Sequence, residues 1–407
     1  MSTNRRGANE RPLRVLQVTS TAVGGDWFHD QVTGLARLGH DVCAVVPGEG
    51  PLTARLRAAG VRTEIVPMSG WRPQQLPRVA AAQLRLIRLI RRFRPDVVHG
   101  HLVKANIVCR LATLVVRRPL LVNQIAGVVH LRSPLFKRID RATLPRVDVL
   151  IGSCHAFADQ YRRLGARAVT VSHYGCDVHR LDPTVSGQPF RAEFGLTADT
   201  PTVGMLAHMY RSRLQAFQDI GFKGHEVFID AAPRLLSRVP AAHLFVVGDD
   251  FTGDVGYRRD LEERAARLGV ADRVHFTGRR SDVQGVLAGL DVAVTPSLEE
   301  SASYATVEAL LMERGVVASD VGGLPDTVQH GESGLLVPPA DPEALADAVI
   351  DLLESPQQRA AMGRLGRDRC LHLFDIERTV ADVEAIYRAA LDGRPLPRAG
   401  RLPEVAQ

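Results

Sequence analysis

Only three of the 51 basic residues in this 407-residue chain are lysine: Lys104, Lys137 and Lys223. So strong a bias toward arginine reads first as GC-rich coding, not as the footprint of a partner. Aromatic residues are scarce at 5%, the basic residues are spread along the chain, and no nucleic-acid-binding motif occurs. A net charge of +6 and a pI of 9.3 therefore admit anionic ligands such as nucleotides without pointing to nucleic acid. The five cysteines, Cys43, Cys109, Cys154, Cys176 and Cys370, are odd in number and scattered. With no Cys-x-x-Cys pair and no histidines at ligand spacing, they exclude a zinc module and a disulfide scaffold and suit reduced thiols in the cytoplasm. No apolar run approaches the roughly 20 residues of a membrane span. The stretch after the first arginines is broken by Gln17, Thr19 and Ser20, so a strand is expected there and not a secretory leader. The absence of a Gly-x-Gly-x-x-Gly fingerprint disfavours a dinucleotide oxidoreductase, and without an Asp-x-Asp motif no metal site is expected.

What the chain has is apolar content, 45% of its residues, enough for two sizeable cores. Short valine-rich runs alternate with helical stretches, the pattern of parallel α/β layers. The first ten residues are polar and expected outside the folded body. From residue 13 a strand, the Val23-Gly24-Gly25 loop, a helix to Leu38 and a second strand to Val46 open a series. It continues near 62–66, 96–99, 120–124, 148–151 and 168–171. An irregular connector at 174–200 is expected as a hinge. A second series follows at 202–206, 243–247, 273–277, 291–295, 316–319 and 334–337, with long helices from about 341 and 376. In the run 85–94, Leu86, Ile87, Leu89, Ile90 and Phe93 recur at helical spacing between arginines. A core-facing helix with a solvated basic side is expected, while weak peripheral contact with an acidic membrane stays open.

Residues 291–337 carry the most chemistry. A buried strand leads into the Pro296-Ser297 turn, then a helix opening near Ser303, with Glu300 and Glu308 framing the junction. On one continuous helix, eight positions would separate the two acids by about 12 Å, so the bend between them is needed to bring both to one ligand. Helix-start amides attract phosphate, and the small residues Ser301, Ala302 and Ser303 let a ligand approach the backbone. Carboxylates there suit sugar hydroxyls. Phosphate beside polyol means a sugar nucleotide.

At this point the chain resembles the family 4 glycosyltransferases, whose signature is a Glu, seven residues and a second Glu, after a Pro-Ser turn and before a Gly-Gly loop. Here these are Pro296-Ser297, Glu300, Glu308 and Gly322-Gly323. The resemblance implies a GT-B fold, an α/β architecture of two doubly wound Rossmann-like lobes facing a central cleft, with the C-terminal helix crossing back to the first lobe. It divides the chain into an acceptor-side domain, 1–185 with 376–407 packing back, and a nucleotide-sugar-binding domain, 186–375. By the same resemblance Glu300 binds donor-sugar hydroxyls and Glu308 the ribose diol. The chain departs from the family at Ser301-Ala302-Ser303, where Gly-Phe-Gly is frequent, and at Gly315-Val316-Val317, where Gly-x-Pro is frequent.

Other resemblances extend the site. Lys223 in Phe222-Lys223-Gly224-His225 matches the lysine that grips the donor diphosphate. The family's partner arginine falls near His208, leaving His208, Arg211 and Arg213 as alternatives. Gly24 and Gly25 correspond to a loop facing the diphosphate, Gly248 and Arg279 to loops around the base, and His101 to a histidine near the reacting sugar; His99 is expected to pack beneath its loop. The function implied is transfer, with retention, of a sugar from a nucleoside diphosphate sugar, UDP- or GDP-linked, to an acceptor hydroxyl in polysaccharide, glycolipid or natural-product biosynthesis. Lys223, Glu300 and His101 are the catalytic candidates, and no cofactor is expected. Acceptor and oligomeric state stay open. The alternatives are a sugar-nucleotide epimerase on the same fold and a non-catalytic sugar-nucleotide-binding regulator.

Overall fold

A computed structural model describes residues 11–68, 76–117, 119–209, 211, 221–250 and 255–397. The polar first ten residues, Arg213 and most of the stretch around it lie outside the described residues. The chain divides into two compact units, residues 1–176 with 375–407 and residues 177–374.

The first unit is built on seven parallel strands: β1 (Arg14–Thr19), β2 (Asp41–Val46), β3 (Arg62–Ile65), β4 (Val97–His101), β5 (Leu120–Ile125), β6 (Val149–Gly152) and β7 (Val169–Val171). Their order is β3-β2-β1-β4-β5-β6-β7. Parallel sheets are covered on both faces, so their strands are apolar throughout and do not alternate with polar residues. In β1, Leu16 and Val18 join one core with Val45, Val98, Leu86 and Ile90. Val15 joins the other with Val97, Val122, Phe28 and Leu35. The helix Leu76–Phe93 turns Leu86, Ile87, Leu89, Ile90 and Phe93 inward and leaves Arg85, Arg88, Arg91 and Arg92 in solvent. The helix Ile376–Leu391 is capped by Asp375, whose carboxylate accepts the Arg378 amide at 2.9 Å. It packs along the helix Asp26–Arg37 and delivers Val380, Val383, Ile386 and Tyr387 to the core behind β1.

The second unit carries six parallel strands: β8 (Thr202–Leu206), β9 (His243–Val247), β10 (Val274–Gly278), β11 (Val292–Thr295), β12 (Gly315–Ser319) and β13 (Leu335–Val337), in the order β10-β9-β8-β11-β12-β13. Val203, Met205, Leu244, Val246, Val294 and Val317 pack under Phe228, Ile229, Leu345 and Val349. The connector 174–200 is more ordered than its sequence suggests. It holds a 3-10 turn, Val178–Arg180, and a helix, Gln188–Glu193. Phe190 is buried with its ring 4.9 Å from Phe245, and buried Arg191 bonds Asp291 at 3.0 Å. Residues 177–200 are thus part of the second unit's packing, which proline and glycine content alone concealed.

In both sheets the chain builds outward from a first strand and then restarts on that strand's other side, β4 beside β1 and β11 beside β8. Crossovers diverge at such a switch point and leave the carboxyl ends of the two central strands open to a ligand. Among the described residues no helix is long and apolar enough to cross a membrane.

Candidate functional site

At the switch point of the second unit three loops interlock. After β11 the chain turns at Pro296-Ser297, and the Leu298 amide donates to the Phe222 carbonyl at 2.8 Å. Gly224 has φ +72°, and a Cβ there would stand 1.9 Å from the Pro296 carbonyl oxygen. Only glycine meets both conditions. Gly322 repeats the device at φ +56°, where a Cβ would come within 1.9 Å of the Glu300 carbonyl oxygen, and the Gly323 amide donates to that oxygen at 3.1 Å. These contacts fix Glu300 between the two glycine turns.

Lys223 and Glu300 form an ion pair through Nζ and Oε2, with side chains 23% and 11% exposed. The Ser297 hydroxyl and the Ser301 amide also approach the carboxylate, at 3.4 and 3.3 Å. Ser303 takes a positive φ of 52°, and its hydroxyl accepts the Thr306 amide at 3.4 Å to cap the helix Tyr304–Leu311. Ala302 offers its carbonyl to the Thr327 hydroxyl at 3.2 Å. Glu308 lies in the helix and pairs with Arg180, the acid largely covered and the arginine 55% exposed.

His208 follows β8, Gly248 follows β9 and Arg279 follows β10. The His208 imidazole is held below its ordinary pKa, first by partial burial and then by the positive charges of Lys223 and Arg279. Lys223 and Arg279 thus both lie within electrostatic reach of His208, and Lys223 pairs with Glu300, a positive field suited to a polyanion. Gly248 donates its amide to the Gly278 carbonyl at 3.0 Å, joining the loops after β9 and β10. Arg211 is engaged elsewhere, paired with Asp260 and lying 5.2 Å over the Tyr257 ring. The structure therefore groups His208 with Lys223 and Arg279, while the two arginines weighed for the same duty are one at Asp260 and one outside the described residues.

In the first unit, Gly24 and Gly25 both have positive φ, 66° and 78°, after β1, and Gly25 opens the helix Asp26–Arg37. His101 ends β4, beside Thr19 in register. It is wholly buried, beneath Trp27 and Phe28. Its Nε2 is 2.6 Å from Gln17 Oε1 and its Nδ1 is 3.0 Å from the Tyr174 hydroxyl. Gln17 Nε2 donates to the Tyr387 hydroxyl at 2.9 Å, and that hydroxyl lies 2.5 Å from His99 Nδ1. The bonds close with every group neutral: Tyr174 donates to His101, His101 to Gln17, Gln17 to Tyr387 and Tyr387 to His99. Burial agrees, pushing His99 down to about 3 and His101 well below its ordinary value. His101 is thus fully hydrogen-bonded and enclosed, not presented at a surface.

Sequence reasoning passed over Arg180, which lies in a stretch without periodicity, and Gln17, Tyr174 and Tyr387, whose meeting depends on contacts up to 370 positions apart. No local signal marks them.

Two family models match the chain: "Glycosyl transferase 4-like domain" over residues 25–175 and "Glycosyl transferases group 1" over residues 212–355. A D-inositol 3-phosphate glycosyltransferase of Corynebacterium glutamicum is 33% identical over 235 residues, covering 55% of this chain and 52% of the relative. The lipopolysaccharide core biosynthesis mannosyltransferase LpsB of Rhizobium meliloti is 28% identical over 224 residues, covering 54% and 61%. The chain thus spans about half to three fifths of the length of these curated relatives. Among solved structures, HepE of Anabaena in complex with UDP superposes with a TM-score of 0.77 at 22% identity, covering 91% of this chain and 98% of that one. Sucrose-phosphate synthase of Thermosynechococcus elongatus does so at 0.73 with 20% identity, covering 94% and 100%. With both units matched in order and both sheets doubly wound, the chain belongs to the group 1, or family 4, glycosyltransferases and has their GT-B fold.

Proposed function

We propose that the chain transfers a sugar, with retention, from a nucleoside diphosphate sugar to an acceptor hydroxyl. The observation that carries this reading is the pairing of Lys223 with Glu300 at the carboxyl edge of the second sheet, with His208 within electrostatic reach of Lys223 and Arg279. Cations next to a carboxylate match a diphosphate next to a hydroxylated sugar. As the glycosidic bond breaks, negative charge grows on the diphosphate, and Lys223 with its neighbours stabilises it. Lys223 exchanges its pairing with Glu300 for the diphosphate, and Glu300 turns to sugar hydroxyls. Glu308 accepts the ribose diol as the exposed Arg180 swings aside. Gly248 and Arg279 face the base, and Ser301, Ala302 and Ser303 leave room for the sugar. His101 is catalytic in this reading only if Tyr174 or Gln17 yields a ring nitrogen; as arranged, it supports the end of β4.

Charge neutralisation by lysine and arginine supports a metal-independent reaction. UDP in a solved relative's complex makes UDP-sugars the first donors to test, and GDP-sugars follow. The curated relatives act on inositol phosphate and lipopolysaccharide core by name, which supports a hydroxyl-bearing acceptor. The test is mass spectrometry of products from a nucleotide-sugar panel mixed with cell extract, with and without EDTA. New glycosides with release of nucleoside diphosphate, undiminished by chelator, are expected. An epimerised sugar nucleotide without transfer would establish the epimerase reading instead.

A further inference from the structure

Each acid of the donor site is already held by a cation of its own unit. Lys223 pairs with Glu300, and Arg180 pairs with Glu308. The two cations differ in what a ligand can give them. Lys223 stands among the loops assigned to the diphosphate, so a donor that takes Glu300 from it offers phosphate in return. Arg180 lies outside those loops, on the 3-10 turn Val178–Arg180.

That turn is fixed in place. The Asp177 carboxylate accepts the His179 amide at 3.1 Å, and Val178 and Leu181 are buried on either side of the exposed pair between them. Arg367 donates from one guanidinium nitrogen to the carbonyls of Leu181 and Leu311, which ties the turn to the end of the helix that carries Glu308. The neighbouring carboxylate, Asp182, accepts instead the Thr184 amide at 2.9 Å and its hydroxyl at 2.7 Å. The backbone therefore keeps Arg180 within reach of Glu308, while its half-exposed side chain is free to swing into water.

Glu308 has no such freedom. Its side chain is 16% exposed, and an acid so covered needs hydrogen-bond donors or a counter-charge. Arg180 supplies both. A ligand that displaces the guanidinium has to bring donors of its own, and a vicinal diol presents two of them to the two carboxylate oxygens.

We propose that Arg180 is a resident competitor for Glu308: it occupies the ribose position in the free protein, lowers nucleotide affinity, and yields to a vicinal diol. The inference rests on the transferase reading above and adds to it a residue that opposes binding. The sign of the effect is diagnostic. Removing a positive charge near a polyanion site ordinarily weakens binding, whereas removing a competitor strengthens it.

The test is calorimetric titration of the full chain with UDP, GDP and ADP, then with the 2′,3′-dideoxy form of whichever binds. Arg180→Ala should bind the ribonucleotide about fivefold more tightly, the scale of a half-exposed ion pair. Arg180→Lys keeps a charge for Glu308 and should stay near the unaltered chain. In a Glu308→Gln background Arg180→Ala should bring no gain, and the dideoxy nucleotide should show none in either background. Weaker or unchanged ribonucleotide binding in Arg180→Ala would overturn the competitor and leave the transferase reading standing. An equal gain for the dideoxy form, or a gain that survives Glu308→Gln, would do the same. If none of the three nucleotides binds the unaltered chain, the transferase reading fails and this inference with it.

Discussion

The two units share a parallel sheet, a switch point and helices on both faces, yet they finish their carboxyl edges in opposite ways. In the second unit the edge is charged and partly open: Lys223 on Glu300, Arg180 on Glu308, and Arg279 near His208. In the first, the central edge is sealed by a neutral chain of Tyr174, His101, Gln17, Tyr387 and His99, all buried. Fold and ligand chemistry are therefore separable. A sheet supplies the place, and loop residues decide whether it is a field of charge or a plug.

The strongest way to break this contrast is to disturb the loops that carry it. Gly224→Ala forces a side chain onto the Pro296 carbonyl at a positive φ, and a loss of about 3 kcal/mol or more is expected with donor binding abolished. Gly25→Ala has a similar φ but meets only side-chain methyl groups, of Leu52 at 3.1 Å and Thr21 at 3.6 Å, so about 1 to 2 kcal/mol is expected. Thermal and denaturant unfolding compare them, and equal losses would show that the close approach at Gly224 is not what constrains it.

Next in size is Lys223→Ala, expected to lower turnover around a hundredfold with little change in donor KM, because it removes a stabiliser of developing charge. Lys223→Arg should restore part, since a planar fork does not reproduce a point charge. Steady-state release of nucleoside diphosphate measures both, and near-full turnover in Lys223→Ala would move the phosphate duty to another cation. Glu308→Gln should weaken nucleoside diphosphate binding by roughly 1.5 to 3 kcal/mol, and unchanged calorimetric affinity would take Glu308 out of the ribose role.

Acid should separate the units more gently. His99, wholly buried, has a folded pKa of about 3, below its ordinary 6.5, so between these values the unfolded chain binds a proton that the folded chain refuses. Its contribution is complete above about pH 6.5 and falls by about 1.4 kcal/mol per pH unit on descending toward 3. His101 adds in the same direction. Trp27 lies 5.4 Å from the His101 ring in this unit, so tryptophan fluorescence in urea titrations at pH 7 and pH 5 reads this loss. The same midpoint at both pH values would contradict the neutral plug. Smallest of all, Arg211→Ala should change turnover less than about twofold, because its partner Asp260 is a half-exposed acid and such pairs contribute about 0 to 1 kcal/mol.

What was legible in the sequence was what the backbone dictates locally. Strands at 202–206 and 243–247 could be read from short apolar runs, and the glycine turns at Gly224 and Gly322 from a pattern that only glycine satisfies. The Glu300 and Glu308 pair could be noticed because strand, turn and helix surround it. Partners chosen by tertiary packing left no trace. Arg180 reaches Glu308 across 128 positions, and Asp140 holds His130 only because the helix Pro134–Thr143 folds back over it. The helix Gln188–Glu193 was masked by flanking Gly187 and Pro189, which read as loop although the proline sits where a helix start tolerates it.

The helix Ile376–Leu391 has a consequence for how the molecule comes into being. The core behind β1 includes Val380, Val383, Ile386 and Tyr387, so the first unit to leave the ribosome cannot be the first to finish. The second unit is a single uninterrupted stretch, 177–374, and holds all its own strands before the closing helix is made. Synthesis therefore leaves the core behind the seven-stranded sheet incomplete until that helix is made, whereas domains otherwise fold in the order they emerge. A chain cut at residue 375 keeps the charged loops of the second unit and loses Tyr387, the partner of Gln17 and His99, so damage far along the chain is felt at the centre of the first sheet.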